Sequence, residues 1–335
     1  MNAERPIRAI GLLSGGLDSI LAVRIMLEQK IAVTALHFRT GFSYAADPSD
    51  AERAADMLGV PLEVIDVSDG YLPLVLNPRY GYGSGMNPCV DCRIYLLRRA
   101  KTWMEKHGHR FVFTGEVVGQ RPKSQMRPTL NSVERESGLR GYLLRPLSAK
   151  LLKPTVPEER GWVDRDKLYD ISGRGRKAQI ALAKQFGITD YPQPSGGCCY
   201  LIHKVYSRRL RDFLDREGAQ ALTVEVAQSL AVGRHIRLPS GRKVIVGRRE
   251  AENDYLESCG LRGVLLTTVD CPGPMTLVPG APTSEEIELA AQITAGYSGC
   301  GDQPTVHIEV RGGDGPVSVL TVGPMKREQA QALMV

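Results

Sequence analysis

At 335 residues the chain is long enough for two or three domains rather than one. Its 42% hydrophobic and 24% charged residues are the balance of an ordinary folded domain, and no apolar run reaches the roughly 18 residues of a membrane-spanning helix. The formal net charge is +6, and residues 117–177 alone hold 14 Lys or Arg against 7 Asp or Glu, a net of +7, which suits a phosphate-rich partner such as nucleic acid. Exposed charge with no partner is the plainer explanation of the same excess. Residues 1–13 run into a short apolar strand without the basic, long apolar and small-residue regions of a secretory signal, so a cytoplasmic protein with no membrane partner is expected.

In chain order, residues 7–13 predict a buried strand, 19–29 a helix, 31–38 a strand, 49–58 a helix and 61–67 a strand. A helix over 93–106 and a strand over 110–115 follow. Alternating strands and helices imply right-handed crossovers and a parallel sheet. The expected fold is α/β: a doubly wound domain over 1–204 with a basic insert at 121–177. Within it, 121–175 is Pro-, Gly- and Arg-rich with weak periodicity, 177–186 is helical, and 192–197 is a turn-rich approach to Cys198. A helical connection is expected over 205–230. A second, smaller α/β domain then covers 231–335, with strands at 234–238, 243–246, 307–310 and 317–322 and helices at 251–258 and 284–295.

The sharpest motif is Leu13-Ser14-Gly15-Gly16-Leu17-Asp18-Ser19, between a strand and a helix. Two glycines let the backbone turn tightly against an anion, and the N–H groups at the helix start favour phosphate. Ser14 and Ser19 add hydroxyl donors. Asp18 is out of place beside phosphates unless it holds a bridging Mg²⁺. The Gly-Lys-Ser/Thr ending of a Walker loop is absent. A Ser-capped glycine turn is the bland alternative. The heptapeptide resembles the SGGxDS loop of the PP-loop ATP pyrophosphatases, a likeness that implies cleavage of ATP between its α and β phosphates and adenylation of a carbonyl or carboxylate.

Seven cysteines occur. A reducing compartment argues against a disulfide framework, and Cys89-x-x-Cys92 with the distant Cys198-Cys199 pair points to metal or redox chemistry. Three thiolates on a 4Fe–4S cluster leave one iron open, whereas four suit structural zinc. Cys259, Cys271 and Cys300 lack a telling spacing and are expected to be packing residues. Asn87-Pro88 with Cys92, and Gly196-Gly197-Cys198, resemble the paired segments of the PP-loop tRNA thiolases, the group of the tRNA 2-thiouridylases and 4-thiouridine synthetases. The extra Cys89 is similar to their iron–sulfur-dependent, three-cysteine type. The turn from Gly115 to Gln120 resembles the nucleotide-site turn of the same enzymes. The likeness covers roughly residues 7–205. Neither a rhodanese-like tail nor the 2-thiouridylase β-barrel is legible. Instead Gly233-Arg234-His235 and the segment from Val246 to Asn253 resemble the NFACT-R RNA-associated domain.

The resemblance implies an ATP-dependent tRNA sulfurtransferase that replaces a uridine carbonyl oxygen by sulfur. Ser14, Gly15, Gly16, Asp18, Ser19, His37 and Gly115 are the candidates for ATP and Mg²⁺. Cys89, Cys92 and Cys198 are the candidate 4Fe–4S ligands, with Cys199 an alternative to Cys198. Without a cluster, Cys92 and Cys198 serve as general acid and persulfide carrier, so Asp18, Cys92 and Cys198 form the catalytic set. Arg121, Lys123, Arg145, Lys150, Arg174, Arg176 and Lys177 are candidate RNA contacts. The implied partners are tRNA and a sulfur donor, either sulfide or a cysteine desulfurase relay, and a homodimer is left open. Two other readings stand beside this one. The first is a PP-loop synthetase, amidating or sulfur-transferring, that acts on a small molecule. The second is a non-catalytic, zinc-stabilised RNA-binding protein.

Overall fold

A computed structural model describes residues 6–43, 49–193, 198–312 and 316–335. The chain divides into two compact units, Met1–Ile202 and His203–Val335.

The first unit contains β1 (Arg8–Leu12), α1 (Leu17–Glu28), β2 (Ala32–Arg39), α2 (Asp50–Leu58), β3 (Leu62–Asp66), α3 (Ser68–Leu76), α4 (Cys89–Lys106), β4 (Phe111–Thr114), α5 (Arg127–Glu136), β5 (Leu143–Leu144), α6 (Val156–Glu159) and α7 (Lys177–Gln185). Among the described residues its strands form one parallel sheet in the order β3-β2-β1-β4-β5. Successive strand residues face opposite sides, so each strand feeds two cores. Ala9, Val33, Ala35, Phe111 and Phe113 pack with α1 and α7 on one face. Ile10, Leu36, Phe38 and Val112 pack with α4 on the other. The strand order turns back at β1, which pairs with β2 on one side and β4 on the other. In open α/β sheets ligands bind beyond the carboxyl ends of the strands at such a point. Leu12 pairs with Thr114, so the loop after β1 and the turn after β4 emerge side by side.

The second unit contains α8 (Lys204–Glu217), α9 (Val224–Ser229), β6 (Arg234–Arg237), β7 (Lys243–Val246), α10 (Glu250–Ser258), β8 (Gly263–Thr268), β9 (Thr276–Pro279), α11 (Ser284–Gly296), β10 (Val306–Gly312), β11 (Ser318–Val322) and α12 (Arg327–Ala332). Its described strands form an antiparallel sheet, β11-β10-β8-β9-β7-β6. Val244, Val246, Val264, Leu266 and Val278 face α11, while Ile245 and Leu277 pack with Leu256 of α10.

Cys271 and Cys300 correct the packing assignment given to them. They are joined as a disulfide, with Cα atoms 6.2 Å apart, inside the range a disulfide bridges. Cys259 is a free thiol that donates to the Leu256 carbonyl.

Candidate active site

The loop after β1 is shaped by two contacts that exclude larger residues. Gly15 has φ +77°, and a Cβ there would fall 2.3 Å from the Asp50 carbonyl carbon. Ser19 Oγ donates to the Gly16 carbonyl at 2.8 Å and accepts from the Ser14 amide at 3.3 Å, fastening the loop across the first turn of α1. His37 Nδ1 donates to the Leu13 carbonyl at 3.0 Å, so His37 braces the strand end that leads into the loop. Gly115 lies flat on α1, where a Cβ would meet the Asp18 carbonyl oxygen at 2.4 Å.

Asp18 stands at the centre. Gln120 Nε2 donates to its Oδ2 at 2.9 Å, and Arg176 lies 3.9 Å from the same oxygen. Its other oxygen, Oδ1, is buried with no hydrogen-bond partner among the described residues. A lone carboxylate oxygen beside a phosphate-type loop is a fitting ligand for a hard divalent cation.

The cysteines gather at the start of α4. Cys89 is its first residue, and its Sγ accepts from Asn87 Nδ2 at 3.0 Å. Cys92 follows one turn later and is bonded to the buried Tyr71. Cys198 and Cys199 enter from the distant loop, close enough for all four thiols to act on one another electrostatically. Cys198 is the exposed member and Cys199 is buried. The Cys199 thiol donates to Cys198, which with Arg93 and Arg121 holds Cys198 well below the usual thiol range. That bond in turn raises Cys199. Burial, reinforced by the charge on Cys198, pushes Cys92 up to about 12. The cluster thus pairs an accessible, more acidic thiol with a deep, less acidic one. Cysteine thiolates are soft donors of the kind iron–sulfur clusters use. Among the described residues, however, no three His, Cys, Asp or Glu side chains are placed to hold a metal ion. The expected Gly196-Gly197 approach lies outside the described residues.

One turn connects the two halves. Glu116 is almost completely buried, with Arg93 Nε 3.5 Å from Oε1 and Arg145 Nε donating to Oε2 at 3.0 Å. Burial raises the Glu116 carboxyl, but the two guanidinium groups outweigh it and the net effect is a lowered pKa. Sequence reasoning passed over Arg93 and saw in Glu116 only part of a turn. A charged pair next to a Gly turn and a Cys-x-x-Cys was the available signal. Arg145 was expected at an RNA-facing surface, but it is buried. Its side chain is 2% exposed and is taken up by Glu116, by Glu134 at 3.2 Å and by the Leu130 carbonyl. Lys150 remains exposed and donates to the Asp166 carbonyl, while Lys123 donates to the Tyr82 carbonyl. Arg174 and Lys177 are exposed and Arg121 is half-buried.

In the second unit, much of the segment from Val246 to Asn253 serves the fold. Asn253 Oδ1 accepts from the Met275 amide at 3.0 Å and lies where a Gly247 Cβ would be. Arg248 binds Glu252 through paired bonds, whereas the Arg249 side chain is 80% exposed. Arg234 stacks 4.6 Å from the Tyr297 ring centre.

Residues 8–157 match the family described as tRNA methyl transferase HUP domain, and residues 233–334 match NFACT protein RNA binding domain. The chain is similar to the tRNA-specific 2-thiouridylase MnmA of Streptomyces coelicolor, with 35% identity over 103 residues, 26% of this chain and 27% of that protein. The Coxiella burnetii (strain RSA 493) enzyme of that name is 24% identical over 245 residues, 69% of this chain and 63% of its own length. That of Frankia casuarinae is 26% identical over 271 residues, 72% and 71%. The chain therefore spans about a quarter of the first of these relatives and less than two thirds of the second. A 4-thiouridine synthetase–RNA complex with bound ATP overlaps loosely, with a TM-score of 0.34 at 21% identity, over 53% of this chain and 50% of that one.

Proposed function

We propose, for a chain that joins a PP-loop HUP domain of the tRNA thiolase family to an NFACT-type domain, that it is an ATP-dependent tRNA sulfurtransferase that makes a thiouridine. The observation that carries this reading is the turn from Gly115 to Arg121. Gly115 and Gln120 touch Asp18, Glu116 holds Arg93 beside the cysteines, and Arg121 acts on Cys198. A nucleotide site and a thiol cluster on one short turn suit a reaction that activates an oxygen and then replaces it by sulfur.

In the first step the uridine carbonyl oxygen attacks the α phosphorus of ATP and pyrophosphate leaves. The loop amides face the developing charge, and Asp18 would hold a Mg²⁺ that helps to neutralise it. In the second, the terminal sulfur of a Cys198 persulfide, loaded by an external sulfane-sulfur donor, bonds to the activated carbon and AMP leaves with the oxygen. The Cys92 thiol then attacks Cys198 Sγ and loses its proton to solvent. The S–S bond breaks, the thiouridine departs, and a Cys92–Cys198 disulfide remains for an external dithiol to reduce. Cys198, exposed and with its pKa lowered by Cys199, Arg93 and Arg121, suits the carrier role, and Cys92, the buried thiol, suits the resolving one.

A second reading rests on the third thiol, Cys89. A 4Fe–4S cluster held by Cys89, Cys92 and Cys198 would leave one iron open to bind sulfide. Exposed cations in 121–177 and in the second unit suit tRNA as the partner.

The test combines tRNA from a deletion strain with the purified protein, ATP and a persulfide donor. Formation of a thiouridine with one pyrophosphate released supports the proposal. Pyrophosphate release that ignores tRNA would place the chain among the small-molecule synthetases. Anaerobic purification with iron and sulfide analysis separates the two sulfur routes.

A further inference from the structure

The starts of α1 and α7 carry buried polar atoms that the phosphate loop does not account for. Gln179, on the first turn of α7, is fully buried, and neither its Oε1 nor its Nε2 has a partner among the described residues. Arg176 Nε and Asp18 Oδ1 are buried and unpartnered in the same way. A buried amide with both ends unmet loses its hydration and gains no bond in return, so such a group is a sign of a missing ligand.

The two helices that bear these residues run parallel. Arg176, at the start of α7, lies 3.9 Å from Asp18 at the start of α1. Farther along both, the Arg24 guanidinium of α1 sits 5.7 Å from the ring centre of Phe186, just past the end of α7. Both N-termini therefore converge at one place. The chain arrives there through the Gly173 amide, which donates to the Val118 carbonyl at 2.8 Å and ties the entry of α7 to the turn that bears Gln120. Each helix start carries about half a positive charge, and carboxylates commonly occupy the first turn. α7 has none there. Arg176 precedes it, Lys177 opens it, and no side chain caps it. Cations at a helix start repel its dipole, and an anion between the two helices removes the conflict.

We infer that the start of α7, with Arg176 and Gln179, is the second jaw of a polyphosphate site and grips the β and γ phosphates of ATP opposite the phosphate loop. Arg176, 3.9 Å from Asp18, would be free to contact the phosphates if the carboxylate held Mg²⁺ instead. The inference rests on the ATP-dependent reading above and assigns Arg176 to the nucleotide rather than to RNA.

The experiment is calorimetric titration of the full chain with Mg²⁺–pyrophosphate and, separately, with AMP. Arg176→Ala is expected to weaken pyrophosphate at least tenfold and leave AMP within about twofold, with Arg176→Lys in between. Gln179→Leu, which removes the amide but fills the space, is expected to weaken pyrophosphate alone, with an unchanged melting temperature showing that the fold survives. Unchanged pyrophosphate affinity in both Ala and Leu variants overturns the second jaw and leaves the proposed function standing. So does an equal loss for AMP, which reports general damage. A wild-type chain that binds neither ATP nor pyrophosphate removes both readings.

Discussion

Arg93 and Glu116 form an ion pair, 3.5 Å between Nε and Oε1, that joins the helix of the cysteines to the turn lying on the phosphate loop. Arg145 closes on Glu116 from the other side, and only 1% of the carboxylate side chain is exposed. Removing one member of such a buried set leaves charges without a counterion, at a cost of about 3–5 kcal/mol. Glu116→Gln is therefore expected to lower the urea midpoint by a corresponding amount. Glu116→Gln with wild-type stability would mean that the arginines find other partners.

Asp18→Asn keeps the bond to Gln120 through the amide oxygen but removes the charge that a cation needs. The expected result is a loss of pyrophosphate release of 100-fold or more, on the scale seen when a charge-stabilising group is deleted. Higher Mg²⁺ should recover little of it. Pyrophosphate release at the wild-type rate would show that Asp18 holds no metal.

His109 makes stability fall in mild acid. It is 6% exposed, its Nε2 is bonded to Thr34 Oγ1 at 3.1 Å, and its Nδ1 is buried without a partner among the described residues. Burial, with Arg8 and His107 nearby, lowers its pKa from 6.5 to about 4. The folded state thus resists a proton that the unfolded chain accepts. Stability from this site is complete above pH 6.5 and is lost as pH falls toward 4. His109→Gln should flatten the wild-type decline in melting temperature between pH 6.5 and 4.5. An equal decline in both proteins would assign it to other groups, among them the buried His235.

The first unit was legible because its strands are continuous apolar runs and its helices have apolar spacing, as in 7–13 and 19–29. The loop from Ser14 to Ser19 carried its chemistry in residue order. β8 and β9 were missed because Gly, Thr and Pro dilute their patterns, and α5 because charged residues interrupt its apolar spacing. Arg145 was misjudged for a different reason. Charge in a sequence reads as surface, and a buried guanidinium is recognisable only once Glu116 and Glu134 are seen to enclose it. Gln179 left no trace in the sequence, since an amide on a helix is ordinary until both its ends prove unmet.

RNA affinity should depend steeply on salt. If the exposed cations Lys150, Arg174, Lys177 and Arg249 each neutralise one phosphate, binding falls on the order of a hundredfold between 50 and 200 mM salt. Lys177→Ala and Arg249→Ala should each reduce the slope by about one contact. Arg145→Ala should leave the slope unchanged and lower stability instead. Filter binding across a salt series measures all three, and a flat profile would exclude a phosphate-dominated interface.

The thiols should differ in reactivity as their surroundings differ. Cys198 accepts from Cys199, faces Arg93 and Arg121, and is exposed, so it ionises more readily than an ordinary cysteine. Cys92 is buried and bonded to Tyr71, and it stays protonated to about pH 12. Iodoacetamide reacts with thiolates. Peptide mass spectrometry after brief labelling of the reduced protein at pH 7 should therefore find Cys198 modified first and Cys92 last. Arg121→Ala should slow Cys198 by weakening the field that holds its charge, and Cys199→Ala should slow it further by removing the strongest stabilising bond. Cys198→Ser should abolish thiouridine formation and spare tRNA-dependent pyrophosphate release, because the oxygen is activated before sulfur is needed. Cys89→Ser then separates the two sulfur routes. A persulfide on Cys198 resolved by Cys92 survives the change with most of its activity, whereas a cluster that needs three thiolates does not. Uniform labelling of Cys92 and Cys198 at pH 7 would remove the assignment of carrier and resolving roles.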